Sequence, residues 1–126
     1  MTRSELPADI RRFILTSIPS VPFLEAVLLL RAEPGTAWGV PELARRLYVP
    51  ERTATELLEQ LIASGIAESV GETKTARYAP SPELRGLLDQ LAQAYSTDLV
   101  TVTDLIHSRI DRRAQRFADA FRFRKE

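Results

Sequence analysis

The 126-residue chain has no cysteine, one histidine, five scattered glycines and a formal net charge of zero. Each scarcity removes a class of function. Without cysteine there is no disulfide, no thiolate zinc site and no cysteine nucleophile, and the lack fits a cytoplasmic protein. The lone histidine, His107, sits beside Ile106 in an apolar stretch with no evident Ser or Cys partner, so it reads as structural. Asp104, His107 and Asp111 share one helical face, but no second His or Cys joins them, and no metal is expected. The glycines form no phosphate-cradling loop. No cofactor and no enzymatic activity are therefore expected. Long apolar runs are missing too. Val27-Leu28-Leu29-Leu30 lies between Glu25 and Arg31 and falls far short of the roughly 20 residues a bilayer requires, so no membrane partner is expected. The opening MTRSELPADIRR carries acids and no apolar stretch, so no secretory signal is expected.

What is present is a 44% apolar chain, enough for a real core in one domain with an appended element. Residues 40 to 65, VPELARRLYVPERTATELLEQLIASG, are the most informative stretch. Leu43, Ala44 and Leu47 repeat at helical spacing, Tyr48-Val49-Pro50 interrupts, and Ala54, Leu57, Leu58, Leu61 and Ile62 resume the period. Pro41 and Pro50 each suit the first turn of a helix, where the missing N–H costs nothing. Thr53-Ala54-Thr55-Glu56 has capping-box spacing. Gly65 suits a left-handed C-cap. Two short helices around a tight turn make a helix-turn-helix, which presents one helix to a partner. Two strand-like runs come next, Ile66 to Val70 and Thr75 to Ala79, around Gly71-Glu72-Thr73-Lys74, and read as a hairpin.

This succession resembles the winged-helix domain of MarR-type and ArsR-type bacterial regulators. Their pattern of ELA..L, a turn, T(V)S..L..L...G(L/I) and a wing is matched here by Glu42-Leu43-Ala44, Leu47, Thr53-Ala54-Thr55, Leu57, Leu61 and Gly65-Ile66. Thr36-Ala37-Trp38 matches the small first strand, with Trp38 expected in the core. The resemblance covers about residues 22 to 80. It implies a DNA-binding transcriptional regulator, with double-stranded DNA as partner. Winged helices also serve as protein-interaction modules, so a protein partner is the alternative.

The expected fold is mainly α with a small β-hairpin wing. It divides into an N-terminal helix (1–19), a winged helix-turn-helix domain (20–80) and a C-terminal helical dimerisation region (81–126). The first helix, 4 to 18, has Ser4 as its cap and Leu6, Ile10, Phe13, Ile14 and Ile18 on one face. A second, 22 to 32, is apolar almost all round and should be covered on more than one side. Ser81-Pro82-Glu83 is a strong start signal for another. From there Leu84, Leu88, Leu91, Tyr95, Leu99, Val102, Ile106 and Ile110 recur with an 11-residue period, and Phe117 and Phe121 extend the row. An unbroken helix over this span would be about 60 Å long. A break is therefore expected near the cap residues Ser96-Thr97-Asp98. The row exceeds what one small domain can bury, so a homodimer is expected through these ten residues, with help from the N-terminal helix, Phe23 and Leu24.

The second helix of the motif carries the DNA reading. Its outward residues should be Arg52, Thr53, Thr55, Glu56, Glu59 and Gln60. Arg52 can fork onto guanine or phosphate, and Gln60 can pair adenine. Glu56 and Glu59 oppose phosphates, although a glutamate can accept from cytosine. Arg45 and Arg46 can hold backbone phosphates or cap carbonyls, and the wing offers Lys74 and Arg77. Against this, residues 22 to 80 hold six basic and eight acidic residues, so the electrostatic footprint is weak. The densest basic charge, Arg109 to Lys125, could touch nucleic acid or an acidic partner, but reads first as the solvated side of an amphipathic helix.

Overall fold

In the computed structural model, residues 6–72 and 74–108 are described. They fall into two compact units. One comprises Pro22–Asp89; the other joins the residues before it to those from Gln90 onward.

The first unit is a winged helix-turn-helix. It contains most of α2 (Val21–Ala32), then β1 (Trp38–Gly39), α3 (Val40–Leu47), α4 (Glu51–Ala63), β2 (Ala67–Ser69), β3 (Thr75–Tyr78) and the start of α5 (Pro82–Thr97). α2 is covered as its composition requires, with Phe23, Leu24, Ala26, Val27 and Leu30 buried. Leu43, Ala54, Leu57, Leu58, Leu61 and Ile66 complete a core joined by Trp38 and Ala76. Leu47, expected in that core, is only half-buried because it lies in the last turn of α3, next to the exposed connection.

The three strands form an antiparallel sheet in the order β1-β3-β2. Trp38 opposes Ala76 on one side of β3, while Glu68 opposes Arg77 on the other. The expected first strand is thus real, displaced toward Trp38-Gly39. At the wing tip Gly71 takes φ 62, a conformation few side chains tolerate, and the Val70 amide donates to the Thr75 carbonyl at 3.0 Å.

The end of α4 is a Schellman motif. Gly65 has φ 80, its amide donates to the Ile62 carbonyl, and the Ile66 amide donates to the Leu61 carbonyl at 3.0 Å. That turn delivers the chain straight into β2. The start of α4 differs from expectation. The helix begins at Glu51 with Pro50 as N-cap and no side-chain cap bond. Thr53 therefore lies inside the helix, and Thr53–Glu56 is not a capping box. Instead the Thr55 hydroxyl bonds back to the Glu51 carbonyl. Pro50 forces extended geometry on the residue before it and so sets the break itself.

In the other unit, α1 (Ala8–Ser17) begins after Pro7, later than the sequence predicts, and buries Ile10 and Ile14. The expected cap Ser4 lies outside the described residues. α5, which begins in the winged-helix unit and runs on into this one, starts where Ser81-Pro82 placed it, with the Ser81 hydroxyl accepting from the Leu84 amide. It ends at Thr97, and the chain is helical again over 99–108. Asp98 makes the break: its carboxylate accepts from the amide and the hydroxyl of Thr101, capping the second helical stretch.

The apolar row divides unequally. Leu88, Leu91, Val102 and Ile106 are fully buried within the single chain, as are Phe23 and Leu24. Periodicity alone assigns them to a partner as surplus surface, but the chain covers them itself. Leu84 and Tyr95 are half-buried, and Leu99 and Val100 remain 51% and 64% exposed. Ile110, Phe117, Phe121 and the basic segment Arg109 to Lys125 lie outside the described residues. No single helix among the described residues is long and apolar enough to cross a membrane.

Candidate nucleic-acid interface

α4 is held from behind by Ala54, Leu57, Leu58 and Leu61, all buried, and its other side faces out. Arg52, Glu56, Glu59 and Gln60 are exposed there, while Thr53 and Thr55 are half-buried. The wing lies alongside. A groove of about 200 Å³ is lined by Thr55, Leu58, Glu59 and Ile62 from α4, by Ser69, Lys74, Thr75 and Ala76 from the wing, and by Val40. The folding therefore brings Lys74 to the same surface as the α4 residues, which sequence spacing alone did not guarantee.

The basic residues named from sequence separate into two classes. Arg46 Nη2 lies 3.3 Å from Glu33 Oε2, and its guanidinium stands 5.4 Å from the centre of the Trp38 ring. Arg77 Nη2 lies 2.8 Å from Glu68 Oε2 across the wing. Both pairs are exposed, so each contributes at most about 1 kcal/mol. They nevertheless occupy the two guanidiniums. Arg45, Arg52 and Lys74 are exposed and have no ion pair among the described residues.

The turn between α3 and α4 holds a residue that reads in the sequence as no more than an interruption. Tyr48 is the C-cap of α3, with φ 58 and ψ 45. Its amide and that of Val49 both donate to the Ala44 carbonyl, so the helix end is tied off. Its side chain is 94% exposed. No sequence periodicity marks such a residue; the one signal that could is the absence of glycine from a tight helix-turn-helix turn.

Behind the interface, the wing is anchored by Tyr78, whose ring is buried at the base of β3 beneath the Arg85 guanidinium, 5.4 Å from its centroid. Its hydroxyl has no hydrogen-bond partner among the described residues. Burial, then the nearby Asp89 carboxylate, raise the phenol pKa above its ordinary value near 10. The folded state therefore favours the neutral phenol. Stability from this group is complete below pH about 10 and declines as pH rises from there through the raised pKa. Tyr78→Phe should remove that alkaline decline. At neutral pH it should cost little, because no bond of the hydroxyl is lost. Melting temperatures of both proteins from neutral pH to above pH 10 check this; equal alkaline slopes would refute it.

No group of three His, Asp or Glu residues able to hold a metal occurs among the described residues, and His107 is exposed. Asp111, named as a possible third ligand, lies outside them.

No protein-family profile matches the sequence, and no curated protein matches it. Solved structures that share the fold include the following two. The multiple antibiotic-resistance repressor MarR from Listeria monocytogenes superposes with a TM-score of 0.50 at 17% identity, over 94% of this chain and 84% of that one. RV1404 from Mycobacterium tuberculosis superposes with a TM-score of 0.52 at 12% identity, over 77% and 69%. The fold is a MarR-like winged helix.

Proposed function

We propose that the chain is a DNA-binding transcriptional regulator that acts as a winged-helix homodimer. The observation that supports it most is the presentation of α4, clamped by Leu57 and Leu61 on one side, open on the other, and flanked by a wing carrying Lys74. A helix-turn-helix lays such a helix in the major groove while neighbouring elements meet the phosphate backbone. The likeness in fold to a MarR repressor agrees with this reading. Arg52 is assigned to base edges, with Thr53, Thr55, Glu56 and Gln60 beside it. Arg45 and Lys74 are assigned to phosphates. Arg46 and Arg77 join only by releasing Glu33 and Glu68.

The dimer is assigned to the terminal helices. Leu84, Tyr95 and Leu99 keep surface that a second copy can cover, and exposed Val100 adjoins Leu99. Ile110, Phe117 and Phe121 extend this assignment along the sequence.

A second reading, a winged helix that binds protein, draws on one feature. The α4 helix carries Glu51, Glu56 and Glu59 against the single cation Arg52. The two readings part in one experiment, binding of the chain to duplex DNA across a salt series with the mass of the complex measured. With Arg45 and Lys74 of two protomers on phosphates, log affinity should fall against log salt with a slope of about −4. Absence of binding at low salt would leave the protein-binding reading.

A further inference from the structure

Tyr48 is poorly chosen for stability on two independent counts. It is the one non-glycine residue with positive φ among the described residues. That left-handed geometry crowds any Cβ against the backbone, and helices ending this way usually place glycine there. Its ring, meanwhile, is 94% exposed, so it gains nothing from burial in exchange. Strain of this kind persists mainly where a residue serves contact rather than folding.

Its surroundings indicate the partner. Arg45 lies three residues before it in the last turn of α3, and Arg52 four residues after it, across the non-helical connection, in the first turn of α4. Both are exposed and have no ion pair among the described residues. Pro50, Glu51 and Arg46 around them are exposed as well, so Tyr48 is not part of an apolar patch of the kind that docks protein. An exposed phenol whose flanking segments carry two such exposed guanidiniums matches a polyanion backbone, which offers acceptor oxygens at regular spacing.

We propose that Tyr48 is a DNA-backbone contact at the turn of the motif, its hydroxyl donating to a phosphate oxygen next to the one held by Arg45. The left-handed turn throws the side chain outward, toward the strand that the N-terminus of α4 approaches. This rests on the regulator reading above and adds a residue to it.

The test measures affinity for short random-sequence duplexes with the full chain, Tyr48→Phe and Tyr48→Gly, each across a salt series and each with its melting temperature. Tyr48→Phe should weaken binding about 10- to 150-fold, the worth of one hydrogen bond to a charged acceptor. The loss should be equal on all sequences, with the salt slope unchanged because no charge is removed. Tyr48→Gly should bind at least as weakly, yet melt no lower than the parent, since relief of the left-handed strain offsets glycine's extra chain entropy. A folding defect therefore cannot imitate the expected result. Parental affinity in Tyr48→Phe overturns the hydroxyl contact while leaving the regulator reading intact. A parent that binds no duplex overturns both.

Discussion

Leu61→Ala is expected to destabilise the chain by about 2–5 kcal/mol, a large share of the roughly 5–15 kcal/mol that holds a domain together. The size reflects where the residue sits. Its side chain is completely buried, and its carbonyl accepts the Ile66 amide that closes the helix. Truncation leaves a cavity under α4 at the point where the helix turns into β2. The other buried members of this core, Leu43 in α3, Leu57 in α4 and Ile66 just before β2, sit on different parts of the chain and cannot all collapse into the gap. Thermal unfolding should show a Tm lower by on the order of 10 °C. A Tm within a degree or two of the parent would mean that Leu61 does not anchor α4. The presentation of α4 would then need another basis.

Leu61 can be singled out from sequence because local signals agree around it. The helical period of Ala54, Leu57, Leu58 and Leu61 points one face inward, and Gly65 ends the helix where only a left-handed residue fits. The wing was legible for the same reason: two short strand-like runs with Gly71 between them admit few arrangements. Asp98 was legible as a break because its carboxylate caps the helical stretch over 99–108. In each case a property of adjacent residues decides the local structure.

Elements that depend on distant residues were not legible. The row from Leu84 to Ile106 is periodic and apolar, and periodicity says that a face is buried without saying by what. Leu88, Leu91, Val102 and Ile106 are buried within the single chain, and among the described residues of the row Leu84, Tyr95 and Leu99 keep open surface. The ion pairs were equally hidden. Arg46 meets Glu33 and Arg77 meets Glu68 because the fold brings them together, so of the cations named for the helix-turn-helix and wing, Arg45, Arg52 and Lys74 are left without an ion pair among the described residues. The start of α4 failed for a different reason. Two cap signals competed, and Pro50 prevailed over Thr53 because a proline restricts the preceding backbone outright, whereas a threonine cap is worth only about 1 kcal/mol.

The reduced set of cations sharpens what DNA binding should look like. Arg52→Ala is expected to cost about 1–3 kcal/mol, roughly 5- to 150-fold in affinity, and to relax specificity at one base pair, because Arg52 is the only cation that α4 presents. Arg45→Ala should instead weaken all duplexes alike and make the salt slope shallower by about 1 for each lost phosphate contact. Arg46→Ala should do less, because its guanidinium is already engaged with Glu33 and Trp38. Glu56 supplies the decisive comparison. It is exposed on α4 one turn after Arg52, where a carboxylate would meet the phosphates of a bound duplex. If it only repels phosphates, Glu56→Gln tightens binding to every sequence. If it accepts from a cytosine amine, the same change lowers discrimination at one position and leaves random duplexes nearly unaffected. Affinities for a matched and a scrambled duplex separate these outcomes. If neither Arg52→Ala nor Glu56→Gln alters either affinity, α4 is not the reading helix, and its acidic face belongs to a protein partner instead.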